Sequence, residues 1–251
     1  MAASAGMYAP LDRKALLRAH AADVEALRTA ITPVCADDHE LLAYLRMTNF
    51  NLGQAQERLS ATRAWREAIG IAEKMSEAEW RDAELAMRRV LLYDFLGPDQ
   101  HGRPVLVERI GAWDVDLVLR EAEDLERFRV LHAMAAETVA AMHRPSGVED
   151  SRGFVLIMDM DGLGFSHMSP SLVSVFQAAT ETRWNQRFAA VNEINDTFYP
   201  DSVAQIFVVN VPYAFSLLFT MVLPFLNSDT SAEVRWSSTV PEEITEHLGA
   251  A

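Results

Sequence analysis

The feature that most constrains the fold is a stretch of 27 residues, 202–228, that carries no charged side chain. A run of this length could cross a bilayer, since a transmembrane helix needs about 20 apolar residues. Asn210-Val-Pro212 interrupts the run, and a proline removes a backbone donor and disfavours helix at the residue before it. We therefore expect a buried strand over 206–209, a break at the proline, and a helix of about thirteen residues over 213–225 that is too short to span.

The helix expected over 213–225 is apolar on nearly all sides. Such a helix is buried everywhere or faces something apolar that is not protein. A central core helix is one explanation. A helix that alternates between covering a lipid cavity and touching a membrane explains the pattern better, because a crossover helix in a modest α/β domain normally keeps one face in water. Its apolar residues are Phe215, Leu217, Leu218, Phe219, Met221, Val222, Leu223 and Phe225.

Composition narrows the classes of function. Asp and Glu total 36 against 22 Lys plus Arg, a net charge of −14, which makes the chain a poor candidate for a nucleic-acid binder. Cys35 is the only cysteine, so no intramolecular disulfide is possible and a reducing compartment is expected. The N-terminus lacks the basic and apolar regions of a secretory signal. We expect a cytoplasmic protein, peripheral at membranes.

The order of elements predicts an α/β domain preceded by a helical annex. We divide the chain into an N-terminal extension over 1–30, a helical region over 31–90 and an α/β domain over 91–251. In the annex, Asn51 has the position of a helix N-cap, with Gln54 three residues later. A further annex helix is expected over 76–90.

Two kinds of strand are expected in the α/β domain. The segment 104–110 alternates, with Val105 and Val107 on one side and Leu106 and Glu108 on the other. An uninterrupted apolar run, 154–158, is typical of a strand covered on both faces. Further strands are expected over 206–209 and 233–236, and helices over 125–142 and 170–190.

One motif suggests catalysis. Asp159-Met-Asp161-Gly162 directly follows the expected strand and matches the start of haloacid-dehalogenase-type phosphatases, in which the first Asp is a nucleophile near Mg²⁺. Those enzymes need a downstream Lys, and both lysines here, Lys14 and Lys74, lie upstream. A strand end followed by a glycine turn is the simpler interpretation, and a Mg²⁺-dependent phosphatase stays an alternative. No metal site is expected, because the seven histidines show no metal-ligand spacing.

Several motifs in order make the chain resemble the CRAL-TRIO lipid-binding family, which includes phosphatidylinositol/phosphatidylcholine transfer proteins. The resemblance covers about residues 37–249. Its elements are Asp38, Leu41, Leu42, Tyr44-Leu45-Arg46, Phe50, Ala55 and Trp65-Arg66 in the annex, then Gly102-Arg-Pro-Val105, Asp159-Met-Asp-Gly162, Tyr199-Pro200, Phe207-Val-Val-Asn-Val-Pro212 and Pro224-Phe-Leu226.

The resemblance implies an N-terminal helical annex and a CRAL-TRIO domain, in which a mixed sheet floors an apolar pocket closed by a gate helix over 213–226. The implied function is to bind a hydrophobic lipid, a phospholipid first of all, and to transfer or present it between membranes. No catalytic activity and no cofactor apart from the lipid are expected. The partners are then a hydrophobic small molecule and, transiently, a membrane surface, with the protein a monomer. The residues expected to bind lipid are Ser166, Phe207, Val209, Tyr213, Phe215, Leu218, Phe219, Val222 and Phe225.

Because the sequence departs from the family pattern at two positions, it does not determine which lipid is bound. Ser202 and Leu223 stand where phosphoinositide-binding members carry basic residues, so an inositol phosphate would lose two cationic partners. Sterol, tocopherol-like and retinoid ligands would also suit an apolar pocket. The segment near 179–190 is either an insertion or an error in the coding sequence. A lipid-sensing regulatory or interaction module is a further alternative to transfer.

Overall fold

The computed structural model of the protein describes residues 13–31, 36–99, 102–114, 117, 120, 124–142, 153–164, 197–212, 234–242 and 244. Within these residues, two helices lie in the N-terminal extension, four in the annex and a seventh in the α/β domain. They are α1 (Arg13–Ala19), α2 (Ala21–Ala30), α3 (Asp38–Met47), α4 (Leu52–Ala68), α5 (Ile71–Ser76), α6 (Ala78–Leu91) and α7 (Leu125–Met142). The helix expected over 170–190 lies outside the described residues.

Side-chain caps fix where two annex helices begin. The Asn51 side chain accepts a hydrogen bond from the Gln54 backbone N–H at 3.1 Å, which confirms the cap predicted for α4. Asp37 caps α3 by accepting from the N–H groups of His39 and Glu40. The helix expected over 76–90 corresponds to α6. The short α5 before it begins after Gly70, whose φ of 61° allows a sharp change of direction.

The five described strands form one mixed sheet in the order β1-β2-β3-β4-β5. β1 pairs antiparallel with β2, and the other neighbours are parallel, so the α/β class predicted from the sequence is correct. Because β2 and β3 are parallel, they need a crossover, and α7 lies within it. The strands are β1 (Tyr93–Pro98), β2 (Pro104–Glu108), β3 (Phe154–Asp159), β4 (Val203–Val209) and β5 (Val234–Trp236).

β1 was not predicted, because Gly97 and Pro98 have the composition of a turn. The structure accommodates them with an irregularity in the pairing of β1 and β2 between Phe95 and Gly97. Gly97 has φ 97°, a value that a residue with a side chain rarely adopts. A β-bulge of this kind lets an edge strand stay paired on both sides of a residue whose backbone does not fit the regular ladder.

One face of the sheet, which we call the closed face, carries a continuous buried cluster, against which the partly buried Val107 also packs. Its side chains form a core cluster with Ile244, and each member is 7% exposed or less. The apolar run 154–158, expected to be covered on both faces, is buried on the closed face and partly buried on the other, where Met158 packs against Met160, Val208 and Val211. The closed-face members are Val105, Val155, Ile157, Phe207, Val209 and Ile244.

The annex packs against the segment 197–201, which leads into β4. Trp65 of α4 stacks on Phe198 with 3.9 Å between ring centroids. The Tyr199 hydroxyl donates to Glu137 Oε1 of α7 at 2.8 Å, and burial raises the pKa of that tyrosine. Since contacts from two helices converge on one short segment, the annex and α7 together fix the start of β4.

No helix among the described residues is long and apolar enough to cross a membrane.

An ion pair between Arg46 of α3 and Asp201 also holds the annex against the segment 197–201. Their side chains are 14% and 21% exposed, so water screens the pair only partly. We expect a double-mutant cycle of Arg46→Gln and Asp201→Asn, followed by urea unfolding, to give a coupling free energy of about 1–2 kcal/mol.

The control is the pair Arg129–Glu126 on α7, whose side chains are 32% and 80% exposed. The same cycle there should give a coupling of about 0.3 kcal/mol. Equal coupling in the two cycles would show that the Arg46 pair does not tie α3 to the segment before β4.

Candidate ligand-binding site

The second face of the sheet, which we call the open face, carries a row of apolar side chains. Leu106, Leu156 and Ile206 lie side by side in register across β2, β3 and β4. All three are partly accessible, although they occupy the middle of the sheet. Ile206 packs against a small cluster of Met160, Val208 and Val211, whereas no core cluster of the described residues includes Leu106 or Leu156. The described residues therefore cover this apolar face only in part.

A second row lies one step further toward the carboxyl ends of these parallel strands. Glu108, Met158 and Val208 pair in register across β2, β3 and β4, and Tyr93 of β1 pairs with the glutamate. Glu108 is the only carboxylate in either row. The alternation predicted for β2, with Leu106 and Glu108 on the side opposite Val105, is confirmed.

The Glu108 carboxylate is in an unusual environment. Desolvation by burial raises its pKa to about 7, and the side chain nevertheless keeps some accessible surface. Among the described residues, none donates a hydrogen bond to this carboxylate or pairs with it. Its neighbour Tyr93 is already engaged, because its hydroxyl donates to Glu84 Oε1 at 2.8 Å. Glu108 is therefore a poorly hydrated carboxylate among the apolar side chains of the open face.

The motif beginning at Asp159 forms a turn at the end of β3. Asp159 Oδ1 accepts hydrogen bonds from Asn210 Nδ2 and from the Asp161 backbone N–H, both at 2.9 Å. Gly162 has φ 87°, and a Cβ on Gly111 would lie 2.1 Å from the Asp161 carbonyl oxygen. The interpretation as a strand end followed by a glycine turn is therefore confirmed.

This geometry gives the phosphatase alternative no support. The Asp159 carboxylate is occupied in holding the ends of β3 and β4 together. Within the part of the chain that the structure describes, no group of three or more His, Cys, Asp or Glu side chains could hold a metal ion.

The structure places two of the nine residues expected to bind lipid. Phe207 and Val209 both lie on the closed face, 1% and 2% exposed, in the cluster with Ile244. Their contact with lipid stays a prediction. The other seven lie outside the described residues: Ser166, Tyr213, Phe215, Leu218, Phe219, Val222 and Phe225.

The residues of the open face were not among those expected to bind lipid, and they become candidates once the strands are paired. Strict alternation in β4 puts Ile206 on the face opposite Phe207, so choosing the aromatic residue selected the closed face. The available signal was the alternation in β2, where Glu108 shares a side with Leu106. A carboxylate on one side of an otherwise apolar strand distinguishes the two faces.

A cleft of about 460 Å³ also lies between the annex and α7. Lys74, Trp80, Asp124 and Arg127 are among its lining residues, and the Lys74 ammonium lies 5.2 Å from the Trp80 ring centroid. Its charged lining suits an acyl chain poorly, because apolar tails would desolvate these groups without compensation.

A family model describes the fold that carries this site. The model of the CRAL/TRIO domain matches residues 91–250, more than half of the chain. This chain belongs to the CRAL/TRIO domain family. The resemblance stated from the sequence motifs is thereby confirmed, and the match includes every strand of the sheet.

The matches to similar proteins extend beyond the CRAL/TRIO domain, because a match over 84% of this chain is longer than residues 91–250. The phosphatidylinositol/phosphatidylcholine transfer protein SFH7 of Arabidopsis thaliana is 23% identical over an alignment of 221 residues, and the match covers 84% of this chain and 38% of that protein. The Sec14 cytosolic factor of Schizosaccharomyces pombe is 25% identical over 202 residues, 79% of this chain and 65% of that protein. The chain thus spans between about a third and two thirds of these relatives.

A solved structure shares the fold. The crystal structure of Sfh5 superposes with a TM-score of 0.56 at 12% sequence identity, over 90% of this chain and 78% of that one. At this identity the likeness concerns the fold alone: an annex of helices and a mixed sheet.

The raised pKa of Glu108 predicts how its substitution changes stability with pH. The folded protein holds the Glu108 proton more tightly than the unfolded chain, whose glutamates titrate near 4.5. Stability is therefore lost as pH rises from about 4.5 to about 7, and the full penalty applies above that range. Glu108→Gln should raise the free energy of unfolding at pH 8 by up to about 3 kcal/mol and change it little at pH 4.

Urea unfolding at the two pH values measures this difference. Glu57→Gln, at an exposed position of α4, is the control and should change the free energy of unfolding at neither pH. A Glu108→Gln variant that is less stable than wild type at pH 8 would show that the carboxylate has a stabilising partner in the folded protein.

Proposed function

We propose that this protein binds a hydrophobic lipid, with a phospholipid as the first candidate, and transfers or presents it between membranes. The observation that carries the proposal is the open face, where Leu106, Leu156 and Ile206 form an apolar row that packing leaves partly uncovered. A surface of this kind in the centre of a sheet is stabilised when an apolar ligand covers it.

The energetics favour an acyl chain on this face. Removing roughly 300 Å² of apolar surface from water contributes about 7 kcal/mol, at about 25 cal/mol per Å². A contribution of this size exceeds the cost of ordering a flexible chain and can bias a lid between two positions.

The names of similar proteins agree with this function. SFH7 of Arabidopsis thaliana and SFH11 of the same plant are both called phosphatidylinositol/phosphatidylcholine transfer proteins. For this chain, a phosphoinositide is the less favoured ligand. Ser202 stands where the family resemblance leads one to expect a basic residue, and the Asp201 carboxylate beside it pairs with Arg46.

The lid that we propose is the gate helix expected from the sequence over 213–226, a segment outside the described residues. Its apolar side chains would cover the lipid when closed and enter a membrane surface when open. Because the chain carries a net charge of −14, membrane contact should depend on apolar insertion more than on attraction to anionic lipid. We propose that the protein acts as a monomer in the cytoplasm, peripheral at membranes, without catalytic activity or a cofactor other than the lipid.

Transfer of a tail-labelled phosphatidylcholine from donor to acceptor vesicles tests the proposal. Wild-type protein should transfer it, and Leu156→Gln should reduce the rate about tenfold, because burying an unpaired amide costs roughly 1–3 kcal/mol. Native mass spectrometry of the same samples should show lipid bound to wild type.

The matched control is Leu96→Gln on β1, where the leucine is 53% exposed. This change should leave transfer unaffected, and thermal unfolding should show both variants folded. Bound lipid without transfer would favour a lipid-sensing module, and a protein with neither bound lipid nor transfer would refute the proposal.

A further inference from the structure

Glu108 is a charged group on a surface that otherwise suits hydrocarbon. The side chains that pair with it in register are the ring of Tyr93 and the thioether of Met158. The neighbouring row is apolar across the three central strands. A carboxylate at such a place is costly, because desolvation favours its neutral form and the described residues offer it no compensating partner.

Among the described residues, the titratable groups on the neighbouring strands bind other partners. On β1, the Tyr93 hydroxyl donates to Glu84, and Arg88 of α6 binds the same glutamate with its Nε 2.7 Å from Oε1. On β3, Asp159 belongs to the closed side of the register and holds Asn210. Since the described residues supply no partner for Glu108, a polar group of a ligand that lies on the open face could compensate it.

The position of Glu108 along β2 indicates how an amphiphilic ligand would be oriented on the sheet. The apolar row of Leu106, Leu156 and Ile206 lies before it, and the carboxyl ends of β2, β3 and β4 lie beyond it. Ligands of open α/β sheets bind beyond the carboxyl ends of the parallel strands. An amphiphile that lays its chains on the apolar row would bring its polar group to Glu108.

We propose that Glu108 is a lipid-binding residue whose carboxylate holds the cationic ammonium group of a zwitterionic phospholipid while the acyl chains cover Leu106, Leu156 and Ile206. This inference rests on the proposed lipid function and adds the class of headgroup. A cation compensates a buried carboxylate directly, whereas a headgroup with negative charge alone is repelled by it. A neutral hydroxyl compensates it less, because hydrogen bonds between neutral groups are weaker than charge-assisted ones.

A comparison of lipids that share the same acyl chains and differ in headgroup tests the inference. Full-length wild type, Glu108→Gln and the exposed control Glu57→Gln are each given donor vesicles with one tail-labelled lipid: phosphatidylcholine, phosphatidic acid or diacylglycerol. The three lipids have a cationic group, a phosphate without a cation and a hydroxyl, respectively. Transfer to acceptor vesicles is followed by fluorescence, and thermal unfolding reports the folding of each variant.

We expect Glu108→Gln to lower the ratio of phosphatidylcholine to phosphatidic acid transfer about tenfold, the size of one charge-assisted contact. Diacylglycerol transfer should change less than twofold, the thermal midpoint should not fall, and Glu57→Gln should match wild type. An unchanged ratio, with wild type still transferring lipid, overturns the role of Glu108 and leaves the proposed function standing.

Two other outcomes also decide the matter. An equal loss for all three lipids would mean that the substitution acts on the sheet and that Glu108 does not recognise a headgroup, which overturns the inference. A wild-type protein that transfers none of the lipids would overturn the proposed function and this inference together.

Discussion

The unequal packing of the two faces of one sheet is the constraint on which the structure depends. On the closed face, Val105, Val155 and Phe207 are each 1% exposed, so little further burial is available there. On the open face, Leu106, Leu156 and Ile206 come from the same three strands and keep accessible surface. Burial of the closed face stabilises the sheet, and the open face, apart from the buried Val208, is the surface that the proposed ligand would cover.

The annex gives this sheet a fixed position. Trp65 stacks on Phe198, and the Tyr199 hydroxyl bonds Glu137, so two helices hold the segment from which β4 starts. The turn after Asp159 does the same at the other end of the strands, because its carboxylate binds Asn210 at the end of β4. Held at both ends, β4 keeps Ile206 in register with Leu156, and the apolar row stays continuous.

Much of the fold follows from local chemistry that the sequence displays. The Asn51 cap, the alternation in β2 and the apolar run of β3 are each set by residues close in the chain, and the motifs in order identified the family. The site is harder, because no single strand shows which of its faces is packed. An aromatic residue such as Phe207 suits a closed core as well as a ligand, and only the pairing of β2, β3 and β4 separates the two.

The assignment of the lipid to the open face can be measured at single residues. A phosphatidylcholine with a photoactivatable diazirine in its acyl chain would be loaded from vesicles and irradiated, and the modified residues identified by tandem mass spectrometry. We expect the label on Leu106, Leu156 and Ile206. A label confined to the closed-face residues Val105, Val155 and Ile157 would contradict the account.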